Sequence, residues 1–320
     1  MHSRPLGRSG LSVSEIGFGA WGIGGRTAGE TSYGDTDDRR SLAALDRALD
    51  LGITFYDTAP AYGDGHSEAL IGEAFARRRD RVVIATKAGL PRFGEASDFS
   101  PAALRDSLEG SLRRLKTDYV DLFQLHNPPP DLFSAAPESY AALEDLRRAG
   151  KIRAIGVSVK SPAEALAIFT GHAVAAVQLN LNMLDVRAIE TGLLEHAAAA
   201  GVAIIARTPL CFGFLSGAVT AATEFPPGDH RRAWPRAQIE RWVKGAATMQ
   251  AATEAPANQS QSQAALRFCL SFPAVATVIP GILSPEEALE NAAASDFGPL
   301  ADVARDRIVA LNREVELFAR

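Results

Sequence analysis

Short apolar runs alternate with longer segments of helical periodicity along almost the whole chain, and Gly, Pro, Ser or Asp residues separate the two kinds of segment. This alternation is typical of a parallel sheet whose strands are joined by crossover helices. The short runs predict strands at residues 15–18, 54–57, 81–86, 119–125, 152–157, 175–179, 203–207 and 276–279. The periodic segments predict helices at residues 37–51, 67–79, 101–115, 137–149, 162–169, 186–200, 236–255 and 285–294.

Eight strands that alternate regularly with helices favour a closed (β/α)8 barrel, or TIM barrel, over an open doubly wound sheet. The chain is long enough for this fold, since such barrels typically need about 250 residues. Residues 4–6 and 12–14 flank a Gly-Arg-Ser-Gly turn and predict an N-terminal β-hairpin that plugs one end of the barrel. Residues 302–316 predict an extra C-terminal helix. The chain contains no linker and no internal repeat, so we expect a single α/β domain over residues 1–320.

Composition narrows the classes of protein to which the chain can belong. Of its 320 residues, 47% are hydrophobic and 22% are charged, which is ordinary usage for a globular protein. The net charge is −5 and no block of Lys and Arg is longer than residues 77–79, so we expect no nucleic-acid partner. Neither a long apolar run nor the apolar core of a signal peptide occurs, so we expect no membrane span and a cytoplasmic location. The spacings of the two cysteines and six histidines predict neither a disulfide nor a metal site.

Four polar residues lie at or just after the ends of three successive predicted strands: Asp57, Tyr62, Lys87 and His126. Active sites of barrels lie at the C-terminal ends of the strands, so we expect these side chains to meet in one pocket. Such a set suits proton transfer to a carbonyl oxygen. A free Tyr has a pKa of about 10, and a nearby Lys87 would stabilise its phenolate. Asp57 would keep a buried Lys87 charged, and His126 would orient the carbonyl.

These residues lie in motifs that resemble those of the aldo-keto reductase family. The motifs follow one another over residues 4–296 and read GFGAWGIGG, FYDTAPAYGDGHSEALIG, VVIATKAG, DYVDLFQLHNP, GKIRAIGVS, VQLNLNML, TPLCFGFLSG and VIPGILSPEEALENAAA. The resemblance implies that Asp57, Tyr62, Lys87 and His126 form the family's catalytic tetrad, with Tyr62 as the general acid. It also implies reversible transfer of a hydride between a nicotinamide cofactor and an aldehyde or ketone.

The same resemblance implies a nicotinamide dinucleotide bound across the mouth of the barrel. Ser158 and Gln178 correspond to residues that hold its carboxamide, although Val159 stands where the family often has Asn. Arg207 occupies the position of an aromatic residue that often stacks on the nicotinamide. Further contacts with the cofactor are implied for Trp21, Asp57, Thr208, Leu210, Gly281, Glu287 and Asn291.

Family habit implies NADP(H), but the residues leave NAD(H) as an alternative. Segment 280–291 resembles the family's site for the adenosine 2′-phosphate, where Lys or Arg often grips the phosphate. In this chain Gly281, Ile282, Leu283 and Glu287 stand where basic residues are expected. Loss of one charge-assisted contact costs about 1.5–3 kcal/mol, which weakens the preference for NADP(H) by roughly tenfold or more.

Loops after the predicted strands supply the candidate residues of a substrate pocket: Trp21, Ile23, Leu90, Phe93, Asn127, Phe133 and Trp234. Their aromatic and aliphatic character predicts a moderately apolar aldehyde or ketone as the substrate. No acidic or basic cluster indicates a sugar phosphate or a nucleotide-linked substrate.

Two other functions remain open at this point. A lyase or aldolase on the same barrel would form a Schiff base at Lys87, which requires a neutral amine. A catalytically vestigial protein would bind the cofactor and act as a redox sensor for another protein. The sequence predicts no particular oligomeric state.

Overall fold

Ten strands lie in the part of the chain that the computed structural model describes, which is residues 1–27, 31–168 and 173–315. They are β1 (Ser3–Pro5), β2 (Ser12–Ser14), β3 (Phe18–Gly19), β4 (Phe55–Asp57), β5 (Val83–Ala88), β6 (Val120–His126), β7 (Ile152–Ser158), β8 (Ala176–Asn180), β9 (Ala203–Arg207) and β10 (Val275–Ile279). Strands β3 to β10 form one sheet in chain order, and each neighbouring pair is parallel. Each predicted barrel strand overlaps one of these eight.

The sheet closes on itself between its first and last strands. Gly17 donates its backbone N–H to Val278 O at 2.8 Å, and Gly19 donates to Pro280 O at 2.8 Å. A Cβ at Gly19 would lie 2.8 Å from the carbonyl oxygens of Ile279 and Pro280, so the close approach of the two strands requires glycine. The closed (β/α)8 barrel predicted from the sequence is therefore confirmed, and the open doubly wound sheet is excluded.

Helices connect the strands around the outside of the barrel. In the described residues they are α1 (Asp38–Asp50), α2 (His66–Phe75), α3 (Pro101–Leu115), α4 (Leu132–Ala135), α5 (Pro137–Arg148), α6 (Pro162–Ile168), α7 (Arg187–Glu190), α8 (Leu193–Ala200), α9 (Arg236–Ala252), α10 (Gln261–Leu270), α11 (Pro285–Ala292), α12 (Ala294–Phe297) and α13 (Asp302–Val315). A serine followed by a proline caps the start of two of these helices: Ser100 accepts the Ala103 N–H, and Ser284 accepts the Glu287 N–H. The predicted ends of two helices, Phe169 and Glu316, lie outside the described residues.

Three predicted helices differ from the structure. Helix α2 ends at Phe75 rather than residue 79, because the Arg78 side chain donates to Ala74 O at 2.7 Å and satisfies a carbonyl at the helix end. The predicted helix at 186–200 is two helices, since Gly192 between them has a φ of 69°. The helix predicted to reach residue 255 ends at Ala252.

Helix α10 was not predicted at all. Its first turn is polar and lacks an apolar period, yet a capping box starts it: Ser260 accepts the Gln263 N–H, and the Gln263 side chain accepts the Ser260 N–H. Gln263 also donates to Glu290 O at 3.0 Å, which buries the polar turn against α11. Side-chain hydrogen bonds, rather than apolar periodicity, mark the start of this helix.

The N-terminal hairpin is present and plugs the barrel. Strands β1 and β2 pair antiparallel, and Leu6, Leu11 and Val13 are buried with inward-facing barrel residues such as Phe55 and Leu122. Because this hairpin closes the N-terminal end, access to the barrel axis is left at the C-terminal end.

No helix in the described ranges is long and apolar enough to cross a lipid bilayer. The single-domain organisation and the cytoplasmic location stay predictions.

The plug supplies a test of the packing. Leu6 is 0% exposed, so Leu6→Ala leaves a cavity at the barrel end and should lower the free energy of unfolding by about 2–5 kcal/mol. Leu289→Ala is the matched control: that side chain is 49% exposed, and its loss should change the free energy by less than about 0.5 kcal/mol. Urea titration followed by circular dichroism measures both, and equal losses in the two variants would contradict the packing described.

Candidate active site

A buried ammonium group lies at the centre of the site. Lys87, near the end of β5, is 0% exposed. Its Nζ donates to Asp57 Oδ1 at 2.6 Å, to Thr58 O at 2.9 Å and to Tyr62 Oη at 3.1 Å. Asp57 is the last residue of β4, and Tyr62 lies in the loop between β4 and α2. The three hydrogen bonds use every proton that the ammonium group can donate.

The second oxygen of Asp57 is held equally firmly. Asp57 Oδ2 accepts Gln124 Nε2 at 3.0 Å and Gln178 Nε2 at 2.7 Å. Gln178 Oε1 in turn accepts the Ser158 hydroxyl at 3.2 Å. These bonds from β6, β7 and β8 fix the carboxylate that Lys87 faces.

The electrostatic environment sets the protonation of Lys87 and Tyr62. Burial disfavours the charge of Lys87, but Asp57 and Tyr62 together outweigh it and raise the pKa of Lys87. Burial raises the pKa of Tyr62, and the nearby Lys87 opposes that shift by stabilising the phenolate. At neutral pH Lys87 is therefore a cation and Tyr62 a neutral acid.

His126, the last residue of β6, stands beside Tyr62, with ring centroids 6.3 Å apart. Burial, followed by the charges of Lys87 and Arg207, holds the pKa of His126 well below its usual range, so its imidazole is neutral. Nδ1 is buried and has no hydrogen-bond partner in the described part of the chain. Nε2 is consequently the ring nitrogen that a bound molecule can reach.

A cavity of about 250 Å³ opens over these side chains. We name it the reaction cavity by its lining: Gly19, Trp21, Gly22, Tyr33, Asp57, Tyr62, Phe93, His126, Asn127, Gln178, Arg207, Thr208, Phe212, Ile279 and Gly281. Five aromatic residues belong to this lining, and Asp57, His126 and Gln178 contribute polar groups near Tyr62. A small apolar molecule with one polar group suits such a space.

A second cavity, of about 510 Å³, adjoins the first. We name it the outer cavity by its lining: Gly22, Tyr33, Thr208, Pro209, Leu210, Phe212, Gly213, Ser216, Ala218, Pro226, Asp229, Arg231, Ser262, Gly281, Leu283, Glu287, Glu290 and Asn291. A Cβ added to the shared residue Gly281 would meet no atom within 4 Å, so the junction is open. The two cavities together form a trough that fits an elongated ligand with a small ring at the end near Tyr62.

The outer cavity has an acidic character. Glu287 and Glu290 line it, and Glu287 accepts the Leu283 N–H at 2.6 Å. Burial raises the pKa of Glu287. Among the described residues of this lining, Arg231 alone is basic, and it forms an ion pair with Asp229 at 2.6 Å. The cavity thus offers no unpaired cation to an anion.

The structure brings together most of the residues implied for a cofactor. Ser158 is the exception, because it is buried behind Gln178 and lines neither cavity. The others line the reaction cavity, the outer cavity or both: Trp21, Asp57, Gln178, Arg207, Thr208, Leu210, Gly281, Glu287 and Asn291.

The predicted substrate residues divide into two groups. Trp21, Phe93 and Asn127 line the reaction cavity, whereas Leu90 does not. Ile23 is buried in the core, and Phe133 packs on Tyr140 with ring centroids 5.1 Å apart. Ile23, Leu90 and Phe133 therefore lie outside the lining of the reaction cavity.

Trp234 stands behind the wall of the trough instead of in it. It packs on Phe212 and His230, with ring centroids 5.1 and 5.2 Å away. His230 in turn packs on Trp21 and Tyr33 at 4.9 and 5.2 Å, and burial lowers the pKa of His230 to about 4. Its backbone N–H donates to Ser32 O at 2.9 Å, so this ring cluster ties two loops together at the rim.

Sequence reasoning missed Gln124, Tyr33 and Phe212. Gln124 lies within an apolar strand, where a polar residue two positions before the His126 strand end was the available signal. Tyr33 lies in a loop without periodicity. Phe212 has a φ of 56°, a conformation that its sequence context does not announce.

Comparisons with known proteins agree with this geometry. A family model described as Aldo/keto reductase family matches residues 15–313. The aldo-keto reductase YhdN of Bacillus subtilis (strain 168) is 36% identical over 252 residues, which cover 76% of this chain and 72% of that protein. The NADH-specific methylglyoxal reductase of Escherichia coli (strain K12) is 29% identical over 318 residues, which cover 92% of this chain and 93% of that protein.

A solved structure agrees as well. The glycerol dehydrogenase AKR11B4 from Gluconobacter oxydans superposes with a TM-score of 0.80 at 29% identity, and the match covers 99% of this chain and 97% of that one. The family model and the solved structure cover nearly the whole chain, and the two relatives cover 76% and 92% of it. The chain therefore belongs to the aldo/keto reductase family and is an NAD(P)-dependent oxidoreductase that acts on carbonyl or alcohol groups.

Proposed function

We propose that the chain reduces a small aldehyde or ketone in the reaction cavity, with Tyr62 as the general acid. The observation that carries this proposal is the continuous chain from Asp57 through Lys87 to Tyr62, with contacts of 2.6 and 3.1 Å. A cation held at the Tyr62 oxygen stabilises the phenolate that proton donation leaves behind.

The proposed reaction uses the residues of the site in distinct roles. The substrate carbonyl oxygen accepts hydrogen bonds from Tyr62 Oη and from His126 Nε2, which would carry the proton of the neutral ring. A bound nicotinamide cofactor would supply the hydride to the carbonyl carbon. Tyr62 gives its proton to the oxygen as the carbon–oxygen double bond becomes single, and Lys87 stabilises the phenolate until solvent returns a proton. Asp57 and Gln124 act by holding Lys87 in place.

The trough is the proposed site of the cofactor. Its nicotinamide end would lie in the reaction cavity beside Gln178, Arg207 and Trp21, and its adenosine end in the outer cavity with Leu210 and Glu287. Thr208 and Gly281 line both cavities and Asn291 lines the outer one, which supports their assignment to the cofactor as well. Asp57 contributes through Lys87.

We propose NADH as the preferred cofactor. A 2′-phosphate in the outer cavity would meet Glu287 and Glu290, and these like charges would repel one another. The ribose 2′-hydroxyl of NADH could instead donate a hydrogen bond to a carboxylate. One relative described above is named for its specificity for NADH, which supports the same choice.

The proposed substrate is a small carbonyl compound. The reaction cavity measures about 250 Å³ and must also admit the nicotinamide ring, so little space is left. Trp21 and Phe93 favour an apolar substituent, and Asn127 adds one polar group. The names of two relatives, a methylglyoxal reductase and a glycerol dehydrogenase, agree with compounds of this size.

The Schiff-base alternative is disfavoured by the state of Lys87. A nucleophilic amine must be neutral, whereas Asp57 keeps Lys87 charged and three acceptors use its protons. A vestigial sensor would not need the intact contact between Lys87 and Tyr62.

Removal of the Tyr62 hydroxyl oxygen tests the role of Tyr62 as the general acid. Tyr62→Phe should lower kcat for carbonyl reduction by about 10²–10⁴-fold, because no positioned proton donor remains, while the dissociation constant for NADH stays near the wild-type value. Tyr56→Phe is the matched control, since the Tyr56 hydroxyl donates to Ile53 O within the core and does not line the cavity. Steady-state turnover and fluorescence titration measure both, and near-wild-type turnover in Tyr62→Phe would remove Tyr62 from its role.

The cofactor preference has its own test. Wild-type protein should bind NADH more tightly than NADPH, and Glu287→Arg should tighten NADPH binding by roughly tenfold or more, because it replaces a repelling carboxylate with a phosphate ligand. Glu286→Arg reverses the same charge one residue away, on a side chain that is 78% exposed and outside the outer cavity, and should change the preference little. Tighter binding of NADPH than NADH by the wild type would contradict the proposal.

A further inference from the structure

Arg207 brings a positive charge into the reaction cavity, and no carboxylate among the described residues forms an ion pair with it. It is the last residue of β9 and lines the cavity together with Tyr62 and His126. Its Nη2 donates to Val159 O at 3.1 Å, and its Nε is buried with no partner in the described part of the chain. Within residues 1–27, 31–168 and 173–315, no Asp or Glu oxygen comes within 4.0 Å of its guanidinium nitrogens.

Asp57, the one carboxylate in the described lining of the reaction cavity, attracts this cation from a distance but does not pair with it. Asp57 is already paired with Lys87 at 2.6 Å and bonded to two amides. His126 is neutral, and Tyr62 is an un-ionised acid before the reaction. The reaction cavity therefore carries an excess positive charge, and a guanidinium keeps that charge across the pH range of proteins.

The barrel order says which end of the trough Arg207 faces. Strand β9 lies four strands from β5 in the eight-stranded barrel, so Arg207 lies across the barrel from Phe93. Phe93 is on the proposed substrate side of the reaction cavity. The loops that follow β9 and β10 line the outer cavity, beginning with Thr208 directly after Arg207. Arg207 thus borders the path by which an elongated ligand passes from one cavity to the other.

We propose that Arg207 sets the redox form of the cofactor that the protein binds, favouring reduced over oxidised nicotinamide. This inference rests on the proposed function, since it requires the nicotinamide ring in the reaction cavity. The ring is neutral when reduced and becomes positively charged after it has given its hydride to the carbonyl carbon. Since Arg207 lines this cavity of about 250 Å³, a ring bound there would lie close to the guanidinium, and two like charges would repel each other there more than in water.

The consequence concerns loading and release. Reduced cofactor enters without charge repulsion, whereas oxidised cofactor, the product of carbonyl reduction, is expelled by Arg207. A protein built this way competes for the reduced form even where the oxidised form is in excess, which favours carbonyl reduction as the working direction. An aromatic residue at this position would stack on the ring but would not distinguish the two charges in this manner.

A rival role for Arg207 is an anchor for an anionic group of the substrate. The geometry favours the cofactor, because the Val159 contact holds the guanidinium against the β7 and β9 side of the cavity. Phe93 and Asn127, which follow β5 and β6, line the other side. The two roles predict different measurements.

The test compares the affinities of one protein for the two redox forms. Tryptophan fluorescence, to which Trp21 in the cavity contributes, is titrated with NADH and with NAD⁺, and the quantity of interest is the ratio of the two dissociation constants. Arg207→Gln should reduce the preference for NADH by about tenfold or more. Arg207→Lys keeps the charge and should keep the preference, and Arg207→Met is a second neutral variant in case the first does not fold.

Two controls separate the charge from other effects. Arg241→Gln removes one positive charge from the exposed face of α9 and should leave the ratio unchanged. The ratio of the wild type should also stay constant from about pH 6 to pH 9, since a guanidinium does not titrate there. If the ratio of the two dissociation constants instead changed with pH along a titration curve, the preference for NADH would come from a group that titrates in this range and not from Arg207.

The outcomes separate this inference from the proposed function. Equal weakening of both redox forms in Arg207→Gln, or an unchanged ratio with a raised KM for a carboxylate-bearing aldehyde alone, would overturn the role of Arg207 while leaving the reductase intact. Failure of the wild type to bind either form would instead overturn the proposed function, and this inference with it.

Discussion

The ion pair between Asp57 and Lys87 is the interaction on which the rest of the site depends. A fully buried ammonium group is strongly unfavourable unless a counter-charge and hydrogen bonds compensate it. Asp57 supplies the charge at 2.6 Å, and Thr58 O and Tyr62 Oη take the remaining protons. Because β4 and β5 are parallel neighbours in register, with Asp57 opposite Ala85, the carboxylate and the ammonium group meet at the same edge of the barrel. The barrel thus places a permanent cation at a tyrosine.

Charge is distributed unevenly along the trough, and the distribution matches the two ends of a nicotinamide dinucleotide. The reaction cavity is positive, because Asp57 balances Lys87 but no carboxylate in the described ranges forms an ion pair with Arg207. The outer cavity is acidic, because Glu287 and Glu290 line it and Arg231 is paired. The first end would select the redox form of the ring, and the second would reject an extra phosphate. The choice of redox form and the choice between NADH and NADPH would therefore both arise from the charges that line the trough.

The parts of this structure that follow local rules could be predicted from the sequence. The strands are apolar runs bounded by turn residues, and parallel order in a barrel brings their C-terminal residues together, so Asp57, Lys87 and His126 were recognisable before any coordinates. The direction in which a loop side chain points in the folded protein was not predictable in the same way. Ile23 lies in the same loop as Trp21, but its side chain is buried in the core. Tyr33 and Phe212 line the trough, although they lie in loops without periodicity. Gln124 interrupts an apolar strand two residues before His126, but that signal does not say which group its side chain contacts.

The pH dependence of carbonyl reduction in Asp57→Asn, beside the wild type, tests the central claim most directly. With Asp57 present the pKa of Lys87 is raised, so kcat of the wild type should be level from about pH 6 to pH 9. Without the carboxylate, Tyr62 is left to oppose the effect of burial on Lys87, so the pKa of Lys87 should fall, the lysine should lose its proton and kcat should decrease as the pH rises through this range. Circular dichroism checks that the variant is folded. A folded variant with the level profile of the wild type would contradict the dependence of Lys87, and of Tyr62 through it, on the buried ion pair.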